Sequence, residues 1–113
     1  MNIALTETKD GDTTVLDVSG RVDSTTADEF NKVVMGLIEA APPSLVLDCA
    51  GLEFLSSAGI RVLMLAAKRT RPAGIRLALC ALRDNIAEVF EISGITGVFA
   101  IHPDRAGALA SLR

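Results

Sequence analysis

Leu45-Val46-Leu47-Asp48-Cys49-Ala50-Gly51-Leu52-Glu53-Phe54-Leu55-Ser56-Ser57-Ala58-Gly59-Ile60 is the stretch on which the fold of this chain turns. Its first three residues are apolar without alternation, the pattern of a central strand covered on more than one side. The strand is expected to leave the sheet at Asp48-Cys49-Ala50-Gly51 and pass into a loop. A helix is then expected to begin near Ser56-Ser57, with the small residues Ala58 and Gly59 behind them. Ile60, Leu63, Met64 and Ala67 continue at helical spacing as its main apolar stripe. Arg61 and Lys68 lie one heptad apart on another face, and Pro72-Ala73-Gly74 closes the helix.

The same alternation of periods extends in both directions. Ile3 and Leu5 alternate with polar residues as a short first strand. Lys9-Asp10-Gly11-Asp12 is a turn signal, and Thr13 to Ser19 is a β-branched second strand antiparallel to the first. Gly20-Arg21-Val22-Asp23 breaks the pattern. Ser24 or Thr25 is placed to cap a helix carrying Asp28 and Glu29 in its first turns, where negative charge suits the helix dipole. Ala27, Phe30, Val34, Leu37 and Ile38 fall on one face of it, Asp28 and Lys32 form an i,i+4 pair on the other, and Pro42-Pro43 ends it. Beyond the central unit, Ile75, Leu77 and Leu79 alternate as a strand. Arg83 to Ile92 carries Ile86, Val89 and Phe90 at helical spacing, with Ser93-Gly94 as its exit. Val98 to Ile101 reads as a last strand, and Pro103 as the first position of a terminal helix contacting through Leu109 and Leu112. The order is β-β-α-β-α-β-α-β-α: an α/β fold with a mixed sheet of four to five strands packed against about four helices, forming one domain over residues 1–113.

Composition removes several classes of function. Half of the 113 residues are apolar, but there is no Trp, no Tyr and only four Phe, so no aromatic platform exists for bases or sugars. The formal charge is −3 with no Lys/Arg cluster, which argues against nucleic acid as a partner. Cys49, Cys80 and the single His102 lack metal-site spacing. They read better as two buried reduced thiols at strand ends and an isolated imidazole. No cofactor or metal is expected. Met1-Asn2-Ile3-Ala4-Leu5-Thr6-Glu7 lacks the features of a signal peptide, and no run approaches the roughly 20 apolar residues that span a bilayer. The expected location is the cytoplasm.

No catalytic constellation emerges. Ser93-Gly94-Ile95-Thr96-Gly97 has no Lys after its glycines, and Asp17, Asp23, Asp48 and Glu53 are scattered near loop ends. An enzyme is not expected. What stands out is the pair Ser56-Ser57 at a helix start. On the residues alone, a serine there is a cap for exposed backbone N–H groups, worth about 1 kcal/mol. The same N–H groups and the dipole also suit an anion, so a phosphoryl group would be held locally. Gly59 lets another group approach the helix start closely.

These blocks resemble the STAS domain family, named for sulfate transporters and anti-sigma-factor antagonists. Gly20-Arg21-Val22-Asp23 is similar to the family's Gly-Arg-Leu-Asp turn, and Phe54-Leu55-Ser56-Ser57-Ala58-Gly59-Ile60 to its Asp-Ser-Ser/Thr/Ala-Gly-Leu signature. In order and spacing the resemblance covers almost the whole chain. In the antagonist branch it implies a non-enzymatic domain that binds an anti-sigma factor with serine kinase activity, so freeing a sigma factor. The kinase inactivates the domain by phosphorylating the Ser two residues before the signature Gly, here Ser57, and a PP2C-type phosphatase resets it. Ser56 stands where the family usually has Asp, which offers a second, less favoured hydroxyl. The partner surface so implied comprises Asp23, Ser24, Thr25, Ser56, Ser57, Ala58, Gly59, Ile60 and Arg61. The alternative within the family is a constitutive subunit of a lipid-transporting ATP-binding-cassette complex at a membrane. Monomer and weak dimer remain open.

Overall fold

The computed structural model describes residues 2–113. Five strands make one sheet in the order β1 (Ile3–Asp10), β2 (Thr13–Val22), β3 (Ser44–Leu55), β4 (Arg76–Cys80) and β5 (Ala100–His102). β1 and β2 form an antiparallel hairpin, and every later pair is parallel. The crossovers are α1 (Ala27–Glu39), α2 (Ser57–Thr70) and α3 (Asp84–Ile92), and α4 (Arg105–Ser111) comes last. The element order is the one the sequence predicts, with the sheet at five strands.

Both faces of the sheet are covered, which explains the unbroken apolar runs. Leu16, Leu47 and Leu79 face α1, α2 and α3 in the main core with Phe30, Leu63, Ile86 and Phe90. Their neighbours Val15, Val46, Ala78 and Cys80 point the other way and pack on Ala108 and Leu109 of α4. Because side chains alternate sides along a strand, each run must be apolar at every position to serve two layers. Among the described residues, no helix is long and apolar enough to cross a membrane.

Several local expectations are corrected. β3 does not exit at Asp48; it runs on to Leu55, and β2 runs through Gly20 to Val22. The two extensions pair with each other, Gly20 with Leu52 and Val22 with Leu55, across register shifts between Asp17 and Ser19 and between Gly20 and Arg21. An irregularity of this kind interrupts the period-two pattern, so the segment reads as loop in sequence while remaining in the sheet. Gly20 has φ +95°, a conformation costly for any side chain. The residue flanking α1 is Thr26, not Ser24 or Thr25, and it makes no side-chain cap bond to the helix.

The face of α1 is as predicted, with Ala27, Phe30, Val34, Leu37 and Ile38 buried. Asp28 and Lys32 form no ion pair, as both stay in water. On α2 the buried stripe is Gly59, Val62, Leu63, Ala66, Ala67 and Thr70, rotated so that Met64 is exposed and Ile60 only half-buried. The last segment contains a 3-10 turn, Thr96–Val98, ahead of β5. Pro103 lies outside α4, whose cap is Asp104 accepting the Gly107 N–H at 2.7 Å. Cys49 sits within β3 facing the three helices and Cys80 ends β4 facing α4, so the sheet separates two free thiols. Burial pushes Cys49 up to about 12 and Cys80 up to about 11.

Candidate functional site

The paired extensions of β2 and β3 deliver two segments to one end of the sheet. The Ser56 N–H donates to the Val22 carbonyl at 2.8 Å, which ties the start of α2 to the turn following β2. Ser56 has extended φ and ψ of −89° and 174°, and its Oγ accepts the Gly59 N–H at 3.4 Å. Ser56 is therefore the N-cap. Ser57 is the first helical residue, exposed, and its hydroxyl has no hydrogen-bond partner among the described residues. The two serines that look equivalent in sequence thus have different surroundings: one is half-buried and engaged, the other free in solvent.

Gly59 is buried, and the group it admits belongs to this chain. A Cβ there would sit 2.5 Å from Leu55 Cδ1 and 2.7 Å from Val22 Cγ1. Its place in the predicted set is to bring α2 down onto the strand ends, not to offer surface. Ala58 and Ile60 are half-buried, and Arg61 is exposed one turn after Ser57. With Asp28 and Asn31 of α1, Ala58 and Arg61 line a shallow groove of about 200 Å³ between the helices.

The second segment is a closed turn. Asp23 Oδ1 accepts the Thr25 hydroxyl at 2.6 Å and the Thr25 N–H at 2.9 Å. These bonds, chiefly that from the hydroxyl, and the nearby Arg21 charge hold the Asp23 carboxyl below its ordinary value of 3.8. Thr26 Oγ1 accepts the Asp23 N–H at 3.0 Å and donates to the Arg21 carbonyl at 2.8 Å. Thr25 is engaged in holding Asp23, while Ser24 is exposed at the tip. Among Asp23, Ser24, Thr25, Ser57 and Arg61, side chains reach solvent at the same end of the sheet.

Sequence reasoning misses three elements of this region. Arg21 stacks on Phe54 with its guanidinium carbon 4.3 Å from the ring centroid, and Phe54 is 38 % exposed. Only the cross-strand register, which pairs Arg21 with Phe54, shows this. The β4-facing edge of β3 is bare beyond Asp48, and α3 covers part of it: Arg83 Nε donates to the Ala50 carbonyl at 3.0 Å and Asn85 Nδ2 to the Glu53 carbonyl at 2.9 Å. Arg105 bridges Asp17 and Asp48, its Nε 2.8 Å from Asp48 Oδ2, and so pins α4 across β2 and β3. The Asp48 bond, above all, raises the Arg105 pKa further. Nothing in the spacing of residues 17, 48 and 105 announces that cluster. Among the described residues no group of three or more His, Cys, Asp or Glu is arranged to hold a metal.

Residues 4–108 match the sequence model of the STAS domain. The protein of Bordetella bronchiseptica named "Putative anti-sigma factor antagonist BtrV" is 34% identical over 96 residues, 85% of this chain and 83% of that protein. Among solved structures, an anti-sigma factor antagonist from Mycobacterium paratuberculosis superposes with a TM-score of 0.86 over 98% of this chain and 94% of that one, at 24% identity. The unphosphorylated form of the anti-sigma factor antagonist SpoIIAA gives 0.80 over 97% and 96% of the two chains at 18% identity. The phosphorylated form of the Bacillus cell fate determinant SpoIIAA gives 0.74 over 97% and 100% at 17% identity. At these identities the structural likeness establishes the fold alone.

Proposed function

This chain belongs to the STAS domain family, and we propose that it acts within it as an anti-sigma factor antagonist switched by phosphorylation of Ser57. The unphosphorylated chain binds an anti-sigma factor that is also a serine kinase, and so frees a sigma factor. The name carried by the 34% identical BtrV supports the antagonist role. A relative in fold, SpoIIAA, has been solved in both unphosphorylated and phosphorylated forms, which is in keeping with a switch of this kind.

The observation that carries the choice of residue is the contrast between the two serines. Ser56 Oγ accepts the Gly59 N–H in a half-buried setting, whereas the Ser57 hydroxyl is exposed and uncommitted. Modifying Ser56 would break the helix cap; modifying Ser57 would not. A phosphoryl group on Ser57 would lie beside the first N–H groups of α2, where no acidic residue competes, and one turn from Arg61. The fold would stay as it is while the partner surface gained about −1.5 to −2 charges. In this scheme the chain supplies the acceptor, the kinase supplies catalysis, and a PP2C-type phosphatase removes the group.

The test is incubation of the purified chain with its cognate anti-sigma factor and ATP, followed by peptide mass spectrometry and binding measurements. One phosphoryl group on Ser57 is expected. Ser57→Asp should weaken binding, while Ser57→Ala should bind but resist inactivation. Absence of phosphate uptake, together with wild-type binding by Ser57→Asp, would refute the mechanism.

A further inference from the structure

On the far side of the sheet from β1, α3 and β5 enclose a groove of about 330 Å³ that the switch does not use. Its walls are Leu82, Ala87, Phe90 and Ile101, with Glu91 and His102 at the rim. Helical geometry places Asp84, Glu88 and Glu91 on one ridge along the solvent side of that groove. All three are exposed, and among the described residues none is in an ion pair. α3 contains no Lys or Arg. Of the neighbouring cations, Arg105 is paired with Asp17 and Asp48, and Arg83, whose Nε donates to the Ala50 carbonyl, forms no ion pair with the ridge. The result is an apolar slot under an acidic rim that no ion pair engages.

We infer that this groove docks a basic amphipathic segment of a partner protein, its apolar side chains in the slot and its Lys or Arg side chains on the ridge of Asp84, Glu88 and Glu91. Charge selects the occupant: an acidic or neutral segment would leave three like charges facing it or unmatched. Size does too. The volume is at the low end of what encloses a whole small molecule, yet suits the anchoring side chains of a helix laid in a groove. The surface shares no residue with the Ser57 surface, so each can fail without the other.

The test is an NMR titration of the isotope-labelled full chain with a synthetic helical peptide of Leu and Arg at amphipathic spacing. Saturable shifts are expected at Ala87, Glu91 and His102. The double substitution Glu88→Lys with Glu91→Lys should weaken binding about tenfold or more. Ala87→Met, which fills the slot from a half-exposed helical position, should weaken it comparably while the spectrum of the free variant stays that of a folded chain. Three results would each overturn the inference: equal affinity for the same peptide with Glu in place of Arg, shifts centred on Ser57 or absent, or equal shifts with spermidine alone, which would show that charge is sensed without the groove.

Discussion

Replacing Gly59 by Ala should destabilise this protein although it puts a better helix former into a helix. The added Cβ would lie 2.5 Å from Leu55 Cδ1 and 2.7 Å from Val22 Cγ1. Leu55 is 3% and Val22 0% exposed, so neither has free space to retreat into. Val22 is also stiff at χ1. Overpacking of this kind costs about 1–3 kcal/mol, and the gain in helix propensity returns at most about 1 kcal/mol. Two contacts under 3 Å with no free space behind them place the cost in the upper part of that range, so a net loss of roughly 1–2 kcal/mol follows, equivalent to a fall of roughly 4–8 °C in Tm for a chain of 113 residues. Gly36 is the internal control. It lies in α1, and a Cβ there meets nothing within 4 Å. Gly36→Ala should raise stability by about 0.5–1 kcal/mol. Urea unfolding followed by circular dichroism measures both. If Gly59→Ala is neutral or stabilising, Leu55 and Val22 do not crowd that position. If its cost is not reduced in a Val22→Ala background, the contact named here is not its source.

Ser56→Ala should cost about 0.5–1 kcal/mol through loss of the cap while Ser57→Ala costs almost nothing, a split that denaturant titration of the two variants resolves. Arg105→Ala leaves the buried Asp48 carboxylate without its cation and frees the start of α4; because the Arg105 side chain is itself 39 % exposed and screened by water, a loss of about 1–3 kcal/mol is expected, with faster amide exchange in α4 as the accompanying signature. Because burial raises Cys49 to about 12 and Cys80 to about 11, neither thiol should react with a thiol reagent at pH 8 in the folded protein, and both should react once urea unfolds it. Rapid labelling of the native chain would contradict their placement.

Much of the architecture was legible because it rests on period. The predicted face of α1 is the buried one, residue for residue, since a helix on a sheet can bury only one stripe. The doubled apolar runs announced strands covered on two sides. The misreadings share a cause. Gly20 to Val22 and Asp48 to Leu55 read as loops because a register shift breaks the alternation by which strands are recognised. The α2 stripe was rotated because Gly59 lies against two strand ends, and the small side chains Ala66 and Ala67 face the sheet in preference to Met64.

The candidate site divides along the same line. A helix beginning at Ser56-Ser57 is a local matter of hydroxyls, small residues and the apolar spacing behind them, and it can be read from the chain. Which serine caps and which is free depends on where the β3 extension hands over to α2, and that is fixed by the Ser56 N–H bond to the Val22 carbonyl. The stack of Arg21 on Phe54 and the Arg105 bridge between Asp17 and Asp48 join residues far apart in the chain. The amino-acid sequence by itself determined the order of elements, the two-sided sheet and the serine pair, because these follow from short-range periodicity. Only the tertiary structure decided which hydroxyl stands free and which charges are already spent, because strand register brings those groups together and no local pattern encodes it.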